Sequence, residues 1–367
     1  MAKLKVVVPL LNVRTAPVEN TSDKRNVTGQ VNPTFKFESV ENLTNAVGTW
    51  YKDSNGNWYW GGGLSLDVQA PESISSDDID SFLAAAQFPP GPIQFNKMLV
   101  KFPLNITGNN GKGITVAVLD SGIDKTHLDL STKIIAKGDF TNAAAGENDI
   151  IGHGTSMCSL IAANKFFPNK GISGVSSSVK IISAKVMYDE NDPQDFLSVG
   201  RGIDFAVSQN ADIVNLSIGR DDDVDEVAKK IASAPDIIFI AATKQFQDTL
   251  PSDLLQFPAR CPEVIPVAAL PQDYILQNWD KLPSPLVIIP HFKQWCCTIK
   301  DNNYYTQNSG SSVSTAIISG CVALILAQNP LLKRNKQQIL AELEKYASTV
   351  DEAFMNPDQE INFILKK

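Results

Sequence analysis

Histidine is scarce in this chain, three residues in 367, so any imidazole chemistry falls to His127, His153 or His291. Cysteine is sparse as well, and the five present (Cys158, Cys261, Cys296, Cys297 and Cys321) are odd in number. The adjacent pair Cys296-Cys297 lacks metal-ligand spacing, while Cys158 and Cys321 sit in apolar helix-like runs and read as small buried hydrophobes. This usage argues against a disulfide framework and a zinc site. No uninterrupted apolar run reaches the ~18 residues of a membrane span. Positive charge is not in excess. A formal charge of −8 and a pI near 5.0 argue against a basic nucleic-acid footprint. The opening Met1 to Pro9 has two lysines but only a three-valine run, too short for a signal-peptide core. With the cysteine usage, it predicts a reducing, cytoplasmic setting.

What is present divides the chain. Residues 1–67 are rich in β-formers and turns. Asn26 to Val31 and Phe35 to Glu38 alternate at period two, and Trp50 to Trp60 forms two aromatic strands around Asn55-Gly56, a hairpin signal. Closely spaced short strands predict a small barrel. Alternation puts Tyr59 on the face opposite Trp58 and Trp60, and the tryptophans read equally as barrel core or as a ligand surface. Residues 68–95 read as a linker, polar at first, with a short helix near Ile79 to Ala86 stopped by Phe88-Pro89-Pro90-Gly91-Pro92. Residues 96–367 alternate apolar strands with helices, the pattern of an α/β fold with a parallel sheet.

Three stretches of this larger part carry chemistry. Ile114 to Leu119 reads as a buried strand ending at Asp120, at the carboxyl edge where α/β proteins place their sites. Gly152-His153-Gly154-Thr155 opens an Ala-containing helix expected over Ser156 to Asn164. Asn308-Ser309-Gly310-Ser311-Ser312 is a small-residue turn leading into a buried helix. A serine at a helix N-terminus lies where outward N–H groups and the dipole favour negative charge, which suits a nucleophile passing through an oxyanion. Taken alone it also reads as an N-cap, and Asp120 as a cap of the next element. The coincidence of all three contexts favours a nucleophile, a base and an orienting acid.

Asp120-Ser121-Gly122-Ile123-Asp124, Gly152-His153-Gly154-Thr155 and Gly310-Ser311-Ser312, in that order, resemble the subtilisin-like serine peptidases over about residues 95 to 350. The resemblance implies a parallel-sheet sandwich with helices on both faces and serine endopeptidase activity. It further implies Ser312 as nucleophile, His153 as base and then acid, and Asp120 fixing the imidazole tautomer, with no cofactor. It assigns no catalytic role to His127, and His291 reads as structural. Gln245 falls where the family has the asparagine of its oxyanion hole and keeps that amide donor, whereas Lys244 replaces a glycine. Ser311, Val313 and Ala316 also depart from the family's serine motif. The resemblance places substrate beside Ser217-Ile218-Gly219, with a side-chain pocket lined by these and by Ala241, Ala242 and Lys244. Lys244 favours an acidic substrate side chain there. Asp221-Asp222-Asp223 either attracts basic residues or is a solvated helix N-terminus, the second reading being preferred.

Calcium is common in that family, and Asp129 matches one ligand position. The loop Phe166 to Lys170 lacks the other oxygen ligands, so no metal is expected. The first 67 residues resemble a bacterial SH3-type (SH3b) domain through Leu11-Asn12-Val13-Arg14, the Trp-Tyr hairpin and Gly61-Gly62-Gly63-Leu64. That implies a peptide or cell-wall ligand and a recognition or regulatory role. No inhibitory propeptide is apparent. A polypeptide substrate is the expected partner. The second reading is an inactive relative that holds peptides without cutting them, and Lys244 and Gln245 are the residues that separate the two.

Overall fold

The structure is a computed structural model. It describes residues 3–6, 11–18, 26–31, 35–45, 48–60, 64–66, 76–91, 93–94, 109–141, 146–167, 169–188, 196–246, 253–271, 279–291, 293–300, 303–349 and 363–367. The glycines 61–63 of the SH3-like reading lie outside them. The chain separates into two compact units, Met1–Ile74 and Ser75–Lys367.

The first unit is all β. Strands β1 (Lys3–Val6), β4 (Lys36–Glu38) and β8 (Leu64–Leu66) form one antiparallel sheet in the order β4-β1-β8. β2 (Leu11–Arg14), β3 (Val27–Val31), β5 (Glu41–Asn45), β6 (Gly48–Lys52) and β7 (Trp58–Trp60) form another, ordered β3-β2-β7-β6-β5. The β6–β7 hairpin closes where expected, with Gly56 at φ 84°. Asp53 builds the turn: its carboxylate accepts the Asn55 and Asn57 N–H groups, each at 2.9 Å, and the Tyr59 hydroxyl at 2.8 Å. Burial of the Tyr59 hydroxyl beside that carboxylate raises its pKa. Tyr59 packs with Val13, Val31, Phe35 and Phe37, whereas Trp50 and Trp58 are buried with Val18. Both tryptophans are therefore core rather than ligand surface. The side chain of Trp60 is not among the described ones.

The second unit begins earlier than the sequence indicates. Helix α1 (Ser76–Ala85) and strand β9 (Ile93–Gln94) fall in the stretch read as a linker, yet both belong here. Phe82, 2 % exposed, lies against His127, Tyr304, Tyr305, Phe88 and Phe167. β9 pairs in parallel with β12 (Ile172–Ser173). The polar opening and the prolines look like a linker locally, but all the aromatic partners of Phe82 except Phe88 are distant in sequence.

The main sheet has eight strands in the order β11-β13-β10-β14-β15-β16-β17-β20. These are β10 (Thr115–Asp120), β11 (Ile134–Asp139), β13 (Lys180–Lys185), β14 (Ile213–Leu216), β15 (Ile238–Ala242), β16 (Val264–Pro271), β17 (Leu286–His291) and β20 (Ile364–Lys366). All neighbours are parallel except β17 and β20. β18 (Gln294–Cys297) and β19 (Tyr305–Asn308) make a separate antiparallel pair.

Ala117, Leu119, Val214, Leu216, Phe239 and Ala241 pack with α3 (Leu197–Ser208) and α4 (Asp225–Ala232). Alternate strand residues point to the other face, covered by α2 (His153–Ala162) and α5 (Ser311–Gln328). α6 (Lys336–Glu344) follows. α5 is apolar enough over its 18 residues to match a membrane span in length and composition. It has no polar stripe because sheet and neighbouring helices surround it.

Because β10, β14 and β15 are adjacent and parallel, their carboxyl ends share one sheet edge. That places Asp120, Ser217 to Gly219, and Ala242 to Gln245 together.

Candidate active site

Helix α2 starts one turn earlier than its composition indicates, making His153 its first residue. Two glycines allow this. Gly152 sits at φ 95°, and a Cβ on Gly154 would lie 2.3 Å from the Gly122 carbonyl oxygen. Any other residue at 154 would push the helix off the Asp120 turn.

A residue outside all the recognised motifs fixes the helix end. The buried Asp149 carboxylate accepts N–H groups of Ile151 (3.0 Å), Gly152 (2.8 Å) and Thr155 (2.9 Å) and the hydroxyls of Thr155 (2.6 Å) and Ser121 (2.9 Å). A carboxylate here satisfies the otherwise unpaired first-turn donors and complements the helix dipole. Its only sequence signal is an Asp four residues before the histidine.

His153 Nδ1 lies 2.8 Å from Asp120 Oδ1 and 3.0 Å from Oδ2. Asp120 is 1 % exposed, and its Oδ1 also accepts the Ser121 N–H at 2.7 Å. A buried carboxylate facing Nδ1 holds the proton there and leaves Nε2 as the basic nitrogen.

Ser312 is the second residue of α5, behind Gly310 at φ 107°. It is not the N-cap; Gly310 occupies that position. The Ser312 hydroxyl donates to the Ser217 carbonyl at 3.1 Å, and the Ser217 hydroxyl donates back to the Ser312 carbonyl at 3.1 Å. Asn215 donates to the Ser217 hydroxyl at 3.0 Å and accepts from Ser319 on α5 at 3.0 Å, clamping helix to strand. Gln245 donates through Nε2 to the Ser311 hydroxyl (3.1 Å), which donates to the Thr243 carbonyl (2.8 Å). The Gln245 amide is thus tethered beside Ser312.

A cleft of about 530 Å³ adjoins these groups, within the usual range for ligand sites. Ser217, Ile218, Gly219, Ala242, Lys244, Gln245 and Ser312 all line it, as do Asp221 of the aspartate run and Arg220 and Gln256, which the sequence did not single out. Ala241 corrects the expectation. It is fully buried in the core under α3 and α4, because alternation along β15 turns it away from its neighbour Ala242. Lys244 forms an ion pair with Asp221. Arg260 pairs with Asp223, and Arg220 with Asp222 at 3.3 Å. The three aspartates therefore each hold a cation, which neither sequence reading of that run anticipated.

His127, Asp129 and Cys297 converge elsewhere, but they do not suit a metal. The Asp129 carboxylate already accepts the N–H groups of Phe166 (2.6 Å) and Ile172 (2.8 Å) and the Tyr305 hydroxyl (2.9 Å). His127 Nδ1 accepts the Asp129 N–H at 3.2 Å, and Nε2 lies 2.9 Å from the Tyr304 carbonyl. Burial raises the Cys297 thiol pKa, so the thiolate is disfavoured. A calcium ion would meet donor protons where it needs lone pairs. All five cysteines are free. The side chain of His291 is not among the described ones.

Parallel sheet, flanking helices and polar residues gathered at the sheet's carboxyl edge make up the candidate site. The sequence profile of the Subtilase family matches residues 111–356. A major intracellular serine protease of Bacillus subtilis is 30% identical over 250 residues, covering 66% of this chain and 76% of that protein. An intracellular serine protease of Paenibacillus polymyxa is 28% identical over 69% of this chain and 77% of its own length. Subtilisin DY of Bacillus licheniformis is 24% identical over 67% and 88% respectively. The chain belongs to the subtilase family, and with it to the serine endopeptidases.

Proposed function

We propose that this peptidase hydrolyses peptide bonds through Ser312, His153 and Asp120, with the N-terminal unit as a recognition or regulatory module. The observation that carries the reading is the paired contact of His153 Nδ1 with the buried Asp120 carboxylate, at 2.8 and 3.0 Å. In the resting state the Ser312 proton is donated to the Ser217 carbonyl. For attack it passes instead to His153 Nε2 as Oγ bonds to the scissile carbon. The charge developing on the carbonyl oxygen is met by a first-turn N–H of α5 and the Gln245 amide. The imidazolium then protonates the leaving amine, the C–N bond breaks, and water, deprotonated by His153, releases the acyl group. Substrate lies along Ser217 to Gly219 as an added strand.

The peptidase domain is taken as 96–367 extended backwards through α1 and β9, and 1–67 as an SH3b-like domain with a peptide or cell-wall ligand. A cytoplasmic location is favoured by five free cysteines and by two relatives named intracellular.

The competing reading, a peptide-holding protein without catalysis, draws on Lys244. Its pairing with Asp221 favours the enzyme, because an ammonium so engaged is held off the oxyanion position. The test is labelling by a fluorophosphonate probe. The native protein labels, and Ser312→Ala and His153→Ala do not. A well-folded native protein that stays unlabelled would refute the proposal.

A further inference from the structure

We propose that the cleft beside Ser312 selects a peptide side chain bearing a carboxylate, and that Asp221 occupies the place of that carboxylate in the free protein. The inference rests on the peptidase reading above and concerns the chemistry of its substrate pocket.

Four observations converge. The cleft contains two cations, Arg220 and Lys244, against one carboxylate, Asp221. The members of the Lys244–Asp221 pair are unequal, the lysine side chain being 28% exposed and the aspartate 74%. Lys244 follows β15, and its N–H donates to the Leu254 carbonyl at 3.0 Å. Asp221 lies on the loop beyond β14 and is the member that solvent can reach. The fixed inner charge is therefore positive and the replaceable outer one negative.

Secondly, among the described residues Arg220 Nε is buried with no hydrogen-bond partner. Arg220 is held by its stack over Phe196, 5.7 Å from the ring, and by a two-way backbone bridge to Phe257, both bonds at 2.9 Å. A buried donor without an acceptor is costly, so the contacts that hold the guanidinium leave part of its donor capacity unused. Thirdly, Asp222 and Asp223 do not line the cleft: Asp222 is 84% exposed, so solvent screens its contact with Arg220, and Asp223 is engaged by Arg260.

Fourthly, Gln256 gives the cleft a polar lining against Gly219. A Cβ on Gly219 would come within 2.2 Å of Gln256 Cδ, so the amide lies flat against that glycine. Its Nε2 donates to the Ala242 carbonyl at 3.3 Å. A polar floor and a positive wall suit a glutamate side chain better than a phenylalanine or a lysine.

The test uses peptides identical except at one position, carrying Glu, Gln, Lys or Phe there. Binding of fluorescein-labelled versions to full-length Ser312→Ala is read by anisotropy, and cleavage of quenched versions by the native protein is read by fluorescence. The Glu peptide is expected to bind and be cut about tenfold or more better than the other three, from one charge-assisted contact in a partly open cleft. Lys244→Met abolishes the Glu-over-Gln ratio. Asp221→Asn strengthens Glu binding severalfold by removing the internal competitor.

Equal binding of the four peptides, a preference for Lys or Phe, no binding of the Glu peptide at millimolar concentration, or a Glu-over-Gln ratio unchanged by Lys244→Met would each overturn the inference. Cleavage without preference would leave the peptidase reading standing and remove only the pocket's selectivity. Selective binding to Ser312→Ala with no cleavage by the native protein would do the reverse.

Discussion

Replacing Asp120 by asparagine preserves shape and removes one charge. The geometry specifies the outcome. Oδ1 accepts the Ser121 N–H at 2.7 Å, so the amide oxygen of the asparagine takes that position. Its NH₂ group then stands where Oδ2 was, 3.0 Å from His153 Nδ1, and donates to it. The imidazole is driven towards the tautomer with its proton on Nε2, which cannot take the Ser312 proton. Losses of about 10⁴ in kcat accompany this change in serine-protease triads, or about 5.5 kcal/mol of transition-state stabilisation. The assay is hydrolysis of a quenched peptide at neutral pH, alongside the fluorophosphonate labelling rate. Both should fall together, with KM and the melting temperature little altered. A variant that folds normally and loses less than about tenfold would refute the assignment of Asp120 as the group that fixes the tautomer.

Gln245→Ala should lower kcat by about 10²–10³ with KM nearly unchanged, the effect of losing one oxyanion donor; an unchanged kcat would remove Gln245 from the site. Phe82→Ala should destabilise the second unit by about 3–5 kcal/mol in denaturant titrations followed by peptidase activity, since it empties the centre of an aromatic cluster; a loss below about 1 kcal/mol would return 76–94 to the status of a linker. Burial lowers the His127 pKa, outweighing the opposing pull of Asp129. The unfolded chain therefore binds the extra proton first, and stability is lost as pH falls below about 6.5. The native melting temperature should drop more steeply between pH 7 and 5 than that of His127→Gln, and parallel curves would exclude the histidine as the cause.

The candidate site was legible where chemistry depends on residue type in a local context. Asp120 ends an apolar strand, His153 is framed by glycines, and Ser312 stands two residues after a glycine at the start of an apolar helix; each statement needs only a few neighbouring residues. The alternation of apolar strands with helices over 96–367 was legible for the same reason, each short apolar run standing out locally. What escaped depends on distant partners. Asp149 looks like any loop aspartate until Ser121 and Thr155 fold onto it. Gln256 becomes part of the cleft only because Gly219 leaves room for it. β11 is half-buried along its length and includes Lys137 and Gly138, so it lacks an apolar run. β20 is three residues long and is defined by its antiparallel partner β17. The linker reading failed through Phe82, whose partners His127 and Tyr304 lie far along the chain.

The all-round apolar character of α5 bears on when the enzyme can act. A helix with no polar stripe has no stable existence in water outside the sheet and helices that enclose it. The proposed nucleophile, Ser312, is carried on that helix, and its proposed base and acid come from segments much nearer the N-terminus. During synthesis the serine is the last of the three to emerge, and it has no partner geometry until the core closes around it. With that triad, proteolytic competence is tied to completed folding of the core around α5.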